Sequence, residues 1–317
     1  MNYYELLNKL KDYKSKFNIK VLGKTLFKRK IFAVERILNK KFATAIFVCS
    51  IHARENISTD VVCKMIDENL FDEIKNFNIG FILMANPDGV ELSQNGINSA
   101  RKKYRKFLLT ANNGSEDFSL WKANGRAVDL NNNFAANFGT NVHSKIPSSS
   151  GYVGRKAESE KETKIIVKYL KKMNPFIVVS YHTKGEEIYY NFFQDNIRLE
   201  RDKQIAERFA KSTGYVIKNP EKTSSGGLKD FVVQKMQIPS LTIELGSDEL
   251  KHPILKESLD EIFERNKTIA KDLIFAYNVF ERWKKDYDIW RKIYEKSFKF
   301  SKKSLWAWWS ACGCGYC

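Results

Sequence analysis

The amino-acid sequence predicts an α/β fold, in which helices cover a largely buried sheet, and three observations support this prediction. The chain has 317 residues, which is enough for one large α/β domain or two small ones. Hydrophobic residues make up 43% of it, so a sizeable core can form. Short apolar runs alternate with helical patterns along the chain, as they do in proteins that combine strands and helices in one sheet.

Five short apolar runs are the strand candidates, because they are rich in β-branched or aromatic residues and carry almost no charge. Strands that are covered by helices on both faces have this composition. The runs comprise residues 31–34, 45–51, 80–85, 176–181 and 241–245.

Helical patterns lie between and after the strand candidates. They comprise residues 58–76, 158–173, 199–212 and a long stretch from about 257 to 295. The second of these begins with acidic residues and ends with lysines, which complements the helix dipole. Residues 111–150 are instead rich in Asn, Gly and Ser, and they predict long ordered loops of the kind that is usually functional.

The formal net charge of +17 leaves two interpretations open. One is an anionic partner, such as nucleic acid, a membrane surface or a cell-wall polymer, and the other is a generally lysine-rich composition. The basic residues are spread over the whole chain, which favours the second, and we expect no nucleic acid. Neither a signal-peptide run nor the roughly 18 apolar residues of a membrane helix is present, so we expect a cytoplasmic protein.

The five cysteines do not form the pattern of a secreted disulfide framework. Cys49 and Cys63 lie in apolar stretches and are interpreted as buried free thiols. Cys312, Cys314 and Cys317 crowd the end of the chain, where a flexible tail is a better interpretation than a soft-metal site. We therefore predict one folded domain over residues 1–290 and a basic, aromatic and Cys-rich tail over 291–317, for which contact with a membrane surface stays open.

Four polar side chains stand at the ends of predicted strands. His52, Asn86 and His182 each follow a strand directly, and Glu244 lies near the end of the last one. Ligands of open α/β sheets bind beyond the carboxyl ends of the strands, so these side chains should converge on one crevice.

Two of these polar residues, together with Glu55, have the character of a catalytic metal site. His52 and Glu55 are three residues apart at a strand-to-helix turn, and His182 comes from a separate strand. Two histidines and one carboxylate, with a fourth position left for water, are a known ligand set of catalytic zinc. The HxxE spacing alone is weak, and its value depends on the motifs that accompany it.

These accompanying motifs resemble those of the zinc carboxypeptidase family, peptidase family M14. In order along the chain they are HARE (52–55), NPDG (86–89), RAVDLNNNF (126–134), ESEKET (158–163), YHTKGEEIYY (181–190), SSGGLKD (224–230) and TIELG (242–246). The resemblance covers roughly residues 3–280 and is strongest to the bacterial branch that includes γ-D-glutamyl-meso-diaminopimelate peptidases. It implies a mixed, mostly parallel sheet of about eight strands with helices on both faces.

The resemblance also implies roles at the reacting centre. His52, Glu55 and His182 match the ligands of one Zn²⁺ per chain, and Glu244 matches the general base that activates water. Arg126 matches the arginine that stabilises the oxyanion, although a solvated loop arginine remains an alternative.

Further matches concern the surroundings of the metal and the substrate. Asp129 matches a carboxylate that orients His52, and Asn131 matches an asparagine that holds the terminal carboxylate of the substrate. The chain departs from the family at Asn132, which replaces the usual arginine, and at Lys222, which replaces a tyrosine. Lys229 matches a position facing the substrate side chain, where lysine favours an anionic group, unless it is a solvated surface residue.

The leading hypothesis is a zinc-dependent peptidase that cuts a peptide or isopeptide bond near a free carboxyl terminus, in muropeptides such as γ-D-Glu-diaminopimelate. An ordinary metallocarboxypeptidase that trims acidic or neutral C-termini is the first alternative. An inactive relative that binds peptides or cell wall is the second, and the intact ligand set speaks against it. The sequence does not indicate the oligomeric state.

Overall fold

The fold is built on an eight-stranded sheet, described by a computed structural model over residues 1–140, 142–218 and 224–289. The strand order is β1-β2-β4-β3-β5-β8-β6-β7. The bounds are β1 (Asn18–Lys24), β2 (Lys30–Arg36), β3 (Thr44–Val48), β4 (Asn78–Ile82), β5 (Ile177–Thr183), β6 (Glu187–Tyr189), β7 (Val216–Ile217) and β8 (Ser240–Leu245). The four central strands β4, β3, β5 and β8 are parallel, and β2 and β6 pair antiparallel with the outermost of them. At the two edges, β1 is antiparallel to β2 and β7 is parallel to β6.

Helices lie on both faces of this sheet. They are α1 (Tyr3–Tyr13), α2 (Ile57–Asp67), α3 (Pro87–Asn95), α4 (Lys102–Ala111), α5 (Lys161–Met173), α6 (Asn196–Thr213), α7 (Leu228–Phe231), α8 (Leu259–Asn266) and a last helix, α9, over residues 269–289. Alternate side chains of the buried strands point to opposite faces and fill two cores. The first face packs against α1, α2, α6, α8 and α9, and the second against α5, α7 and residues 130–136.

A third apolar cluster lies beyond the carboxyl ends of the central strands. It joins Ala53 to Leu92 of α3, Leu108 of α4 and the loop residues Phe118 and Trp121. Trp121 is fully buried, so it anchors the loop that follows α4 next to the turn after β3. Packing rather than regular secondary structure therefore fixes the loop around Phe118 and Trp121.

The prediction of a mixed eight-stranded α/β fold is confirmed, and each of the five strand candidates overlaps a strand. The candidates 45–51 and 80–85 are too long, because β3 ends at Val48 and β4 at Ile82, whereas β5 continues through His182 to Thr183.

Two helix predictions need correction. The pattern over 58–76 ends at Asp67, because Asn69 adopts a positive φ of 55° and residues 68–73 form turns. The long stretch from 257 is interrupted at residues 267–268, and its part beyond residue 289 lies outside the described residues, as does the predicted tail.

Cys49 and Cys63 are buried free thiols, as predicted. Within the part of the chain that the structure describes, no helix is long and apolar enough to cross a membrane.

Candidate metal centre

The candidate centre lies at the carboxyl ends of three adjacent parallel strands. The chain leaves β3 at Val48 and places His52 and Glu55 in the turn before α2. The neighbouring β5 carries His182, and β8 carries Glu244 directly opposite His182 in the parallel register. Because parallel strands end at the same edge of a sheet, four residues from three distant parts of the sequence meet in one crevice.

His52, Glu55 and His182 are buried and converge on one point. His52 Nδ1 lies 2.8 Å from Glu55 Oε1, and His182 Nδ1 lies 3.0 Å from Glu55 Oε2. The two Nδ1 atoms are 3.1 Å apart, and one candidate ligand atom from each of the three residues lies within 4.8 Å of the others. The backbone N–H of Thr183 also donates to Glu55 Oε2, which fixes the carboxylate.

This donor set fits Zn²⁺. Two imidazole nitrogens that face each other at 3.1 Å need a shared cation or proton between them. Two histidine nitrogens and one carboxylate are a ligand set of catalytic zinc, which keeps a position free for water. Among the described residues, this is the one group of histidine, cysteine and carboxylate side chains with such convergence.

Asp129 contacts His52 at Nε2, the ring nitrogen that faces away from Glu55 and His182. Its Oδ1 lies 3.3 Å from His52 Nε2, and its Oδ2 accepts from the backbone N–H of Gly151 and lies 3.8 Å from Lys122 Nζ. Although burial alone would raise the pKa of Asp129, Lys122 and His52 hold it well below its usual range. The carboxylate therefore stays charged and directs His52 Nδ1 toward the converging ligands, as the sequence predicts for Asp129.

The Glu244 carboxyl group has a raised pKa. Burial raises the pKa of its carboxyl group to about 7, with Glu55 adding to the rise while His182 and Lys122 oppose it. Its side chain is nevertheless partly exposed to the crevice. A carboxylate with a pKa near 7 can both accept and return a proton at physiological pH.

Arg126 is not brought to the converging ligands. Its side chain is half exposed, and its guanidinium Nε lies 3.8 Å from Glu160. The cation that does reach the centre is Lys122, four residues earlier. Burial would lower the pKa of Lys122, but Asp129 and Glu55 together raise it, so the ammonium stays charged beside them.

Asn131 and Asn132 lie in a short 3-10 turn (Leu130–Asn132) on the second face. Asn131 Oδ1 accepts from the backbone N–H of Leu228 at 3.0 Å, which ties this turn to α7. Within the described part of the chain, no hydrogen bond involves the side-chain NH₂ group of Asn131 or the side chain of Asn132. Gly226, with φ of 74°, packs so closely on the Asn132 backbone that an added Cβ would lie 2.5 Å from its carbonyl oxygen.

Lys229 is buried in α7 and is already partnered. Its Nζ donates to the Asn191 carbonyl at 2.8 Å, lies 2.6 Å from Asp230 Oδ1 and stands over the Phe192 ring. The alternative of a solvated surface lysine is therefore wrong. Lys222, predicted to bind substrate, lies outside the described residues.

Three residues near the centre were not predicted from the sequence: Lys122, Arg54 and His252. Arg54 lies between the metal-ligand candidates His52 and Glu55. His252 Nδ1 is 3.4 Å from Thr183 Oγ1, next to His182. Lys122 could have been found from its position, because it lies within residues 111–150, which the sequence predicts to be functional loops, and directly follows Trp121, which is buried.

A family model described as zinc carboxypeptidase matches residues 3–268. Among curated proteins, the chain is similar to gamma-D-glutamyl-L-diamino acid endopeptidase 1 of Lysinibacillus sphaericus, with 28% identity over 236 residues. That alignment covers 69% of this chain and 58% of the relative, so the chain spans less than two thirds of the relative's length.

Solved structures share the fold. Thrombin activatable fibrinolysis inhibitor superposes with a TM-score of 0.71 at 17% identity, covering 88% of this chain and 74% of that one. The murein-tripeptide amidase MpaA of Escherichia coli O157 superposes with a TM-score of 0.52 at 16% identity, covering 79% of this chain and 90% of that one.

Proposed function

Because the chain belongs to the zinc carboxypeptidase family, we propose that it is a zinc-dependent peptidase that cleaves the amide bond between a γ-linked D-glutamyl residue and a diamino acid. The observation that carries this proposal is the buried convergence of His52, Glu55 and His182 beside Glu244. The name of the Lysinibacillus relative supports the choice of bond.

His52, Glu55 and His182 would hold the zinc through two Nδ1 atoms and the Glu55 carboxylate. Zinc in such a site polarises the scissile carbonyl and lowers the pKa of water to near 7. Asp129 and the Thr183 N–H keep His52 and Glu55 oriented, so that the ligands need little rearrangement on binding.

Glu244 would take the proton from the attacking water and deliver it to the leaving amine. Its position opposite His182 places it beside the metal ligands without making it one of them. A carboxylate with a pKa of about 7 balances the two proton transfers.

Lys122 is our proposal for the cation that stabilises the oxyanion. Its ammonium lies beside Asp129 and interacts electrostatically with both Glu55 and Glu244. Arg126 is half exposed and lies 3.8 Å from the buried carboxylate of Glu160 instead, and it would have to turn away from that partner to act. A preorganised positive charge near the developing oxyanion is worth about 10²–10³ in rate.

The side of the crevice that adjoins the second face, formed by the 3-10 turn and α7, would bind the leaving amino acid. Asn131 and Asn132 offer side-chain N–H groups to its carboxylate, and the Asn131–Leu228 hydrogen bond joins this turn to α7. Lys229 lies in α7 and uses two hydrogen-bonding directions for Asn191 and Asp230, which leaves the third donor of the ammonium for an anionic group of the substrate.

The test is product identification with zinc-loaded protein. L-Ala-γ-D-Glu-meso-diaminopimelate should yield L-Ala-D-Glu and free diaminopimelate, whereas an α-linked dipeptide of equal size should be cut far more slowly. If the α-linked peptide is cut faster than the γ-linked one, the protein is a general carboxypeptidase and the proposed bond specificity is wrong. If zinc binds and no peptide is cut, the protein is a binding relative.

A further inference from the structure

Asn86, one of the four polar residues that the sequence places at strand ends, turns its side chain toward the backbone of two loops. It is the N-cap of α3 and is fully buried. Its Nδ2 donates to the Ile51 carbonyl and to the Ala123 carbonyl, each at 3.1 Å, and its Oδ1 accepts from the backbone N–H of Gly89 at 3.0 Å. These neighbours fix the orientation of the amide, because the rotated form would turn its oxygen toward two carbonyls.

The two carbonyls that accept from Asn86 belong to the segments that carry the reacting groups. Ile51 directly precedes His52, the first metal-ligand candidate. Ala123 directly follows Lys122, the cation beside the centre. The side chain of Asn86 therefore ties the metal-ligand turn to the segment of Lys122.

The backbone around Asn86 supports this bridge. The N–H of Asn86 donates to the Ser50 carbonyl at 3.1 Å, which fixes the residue to the turn after β3. Gly89 lets the first turn of α3 lie close to the second loop. A Cβ added to Gly89 would lie 2.4 Å from the Ala123 carbonyl oxygen and 2.5 Å from Asn86 Nδ2. The Asn-Pro-Asp-Gly motif thus supplies both the bridging amide and the space that the bridge needs.

The position of Lys122 depends on such contacts, because its segment has no regular secondary structure. The backbone N–H groups of Lys122 and Ala123 both donate to the Ser149 carbonyl at 3.0 Å. The Lys122 carbonyl accepts from the N–H of Ala53 at 3.1 Å. Without the hydrogen bond from Asn86, the Ala123 carbonyl would be left without this donor, and the segment could move away from the metal-ligand turn.

We propose that Asn86 is a positioning residue for Lys122, whose side-chain amide sets the distance between the Lys122 ammonium and the metal-ligand turn. This inference rests on the proposed function, in which Lys122 stabilises the oxyanion. Stabilisation of a developing charge depends on the placement of its partner, and a misplacement of about 1 Å can cost about 10²-fold in rate.

Two substitutions remove the bridge and keep the cap of α3. Asp and Ser are both favourable N-cap residues, so the Gly89 N–H keeps an acceptor in Asn86→Asp and in Asn86→Ser. A carboxylate donates no hydrogen bond and a hydroxyl group donates one, so neither variant can donate to both carbonyls. Asn86→Ser is neutral, and it decides the matter if Asn86→Asp does not fold.

Asn78 offers a matched control in the same strand. It is buried at the amino end of β4, whereas Asn86 lies beyond the carboxyl end. Its Nδ2 donates to the carbonyls of Asn39 and Phe42, and its Oδ1 accepts from the N–H groups of Leu38 and Asn39. Asn78→Asp and Asn78→Ser therefore remove the same kind of hydrogen bond at the edge of the sheet opposite the metal-ligand candidates.

The experiment measures zinc content, the urea midpoint, and kcat and KM on L-Ala-γ-D-Glu-meso-diaminopimelate for the wild type and the four variants. Loss of buried hydrogen bonds should lower the urea midpoint of all four. We expect the Asn86 variants to keep one zinc per chain and to lose about 10- to 100-fold in kcat with little change in KM, while the Asn78 variants stay within about twofold of wild type.

A second measurement places the effect at Lys122. In the Lys122→Met background, Asn86→Ser should cost at most about threefold more in kcat, because the group that it positions is gone. Losses that multiply in the double variant overturn the inference, as do equal kcat values in the Asn86 and Asn78 variants. Loss of zinc from both Asn86 variants also overturns it, since Asn86 would then act through the metal ligands.

The rate of Lys122 acetylation by acetic anhydride, followed by mass spectrometry, tests the inference without a substrate. Only 24% of the Lys122 side chain is exposed, and a released segment would expose the ammonium more often. The rate should rise by about twofold or more in Asn86→Ser and stay at the wild-type value in Asn78→Ser. An unchanged rate in Asn86→Ser overturns the inference alone. A wild type that cleaves no peptide overturns the proposed function, and a raised rate would then still support the positioning of Lys122.

Discussion

Replacement of Lys122 by methionine tests which cation supports the oxyanion. The ammonium lies 3.8 Å from Asp129 Oδ2, and only 24% of the side chain is exposed, so its charge is poorly screened by water. Removal of one preorganised oxyanion partner costs about 10²–10³ in kcat. Because this charge interaction strengthens as the transition state forms, kcat should fall by about that factor while KM changes little.

The matched variant is Arg126→Met, which we expect to stay within about threefold of wild type, since Arg126 pairs with Glu160 near the surface. Lys122→Arg should recover part of the activity by keeping the charge. Lys122 also neutralises Asp129, so zinc retention and unfolding are measured in parallel to separate loss of catalysis from loss of the metal. A larger effect of Arg126→Met than of Lys122→Met would refute the assignment and restore Arg126.

Three further perturbations have expected outcomes. His52→Ala or His182→Ala should each abolish tight zinc binding, measured as metal content after gel filtration, and full retention in both would contradict the ligand assignment. Burial raises the pKa of Glu162 to about 8, so the folded state binds its proton more tightly than the unfolded state and stability should fall as pH rises from about 4.5 to about 8. In urea unfolding, Glu162→Gln should lose this dependence of stability on pH and should be more stable than the wild type at pH 8 by a few kcal/mol. The same dependence on pH in both proteins would show that Glu162 is already ionised in the folded state. Lys229→Met should weaken the preference for an acidic leaving residue in kcat/KM comparisons, and it is a better test than Lys229→Glu, which would bury a second carboxylate against Asp230.

The parts of the site that are predictable from sequence follow strands with a strong pattern. His52, His182 and Glu244 each stand at the end of an apolar run, and the sheet then brings the three strand ends together. The motifs around these residues occur in the order found in the zinc carboxypeptidase family, and that resemblance implied the role of each residue. The family resemblance also predicted that Asp129 orients His52, and Asp129 Oδ1 lies 3.3 Å from His52 Nε2.

The parts that are not predictable depend on contacts between loops. Lys122 lies in an aperiodic segment, and its proximity to Asp129 results from the burial of Trp121 beside the turn after β3. His252 has no partner at ligand spacing in sequence, and its neighbours Thr183 and Arg54 come from other strand ends. Arg126 matches a motif but lies on the outer side of its turn, where Glu160 is available.

The limits of the fold prediction have the same origin. The edge strands β1 and β7 and the neighbouring β6 are short or partly exposed, so they lack the uncharged runs that mark β3 and β5. The break at residues 267–268 falls within a continuous helical pattern. Local composition therefore identifies the buried centre of the sheet, whereas its edges depend on pairing with neighbours that are distant in sequence.

The central claim is that Glu244 performs proton transfer at a zinc site formed by His52, Glu55 and His182. The most direct test measures zinc stoichiometry and turnover of Glu244→Gln on L-Ala-γ-D-Glu-meso-diaminopimelate in the same preparation. We expect one zinc per chain and a loss of kcat of about 10²–10⁴, because the amide keeps the shape of the side chain but cannot accept the proton of water. Near-wild-type kcat with full zinc content would contradict this role of Glu244 and the mechanism built on it.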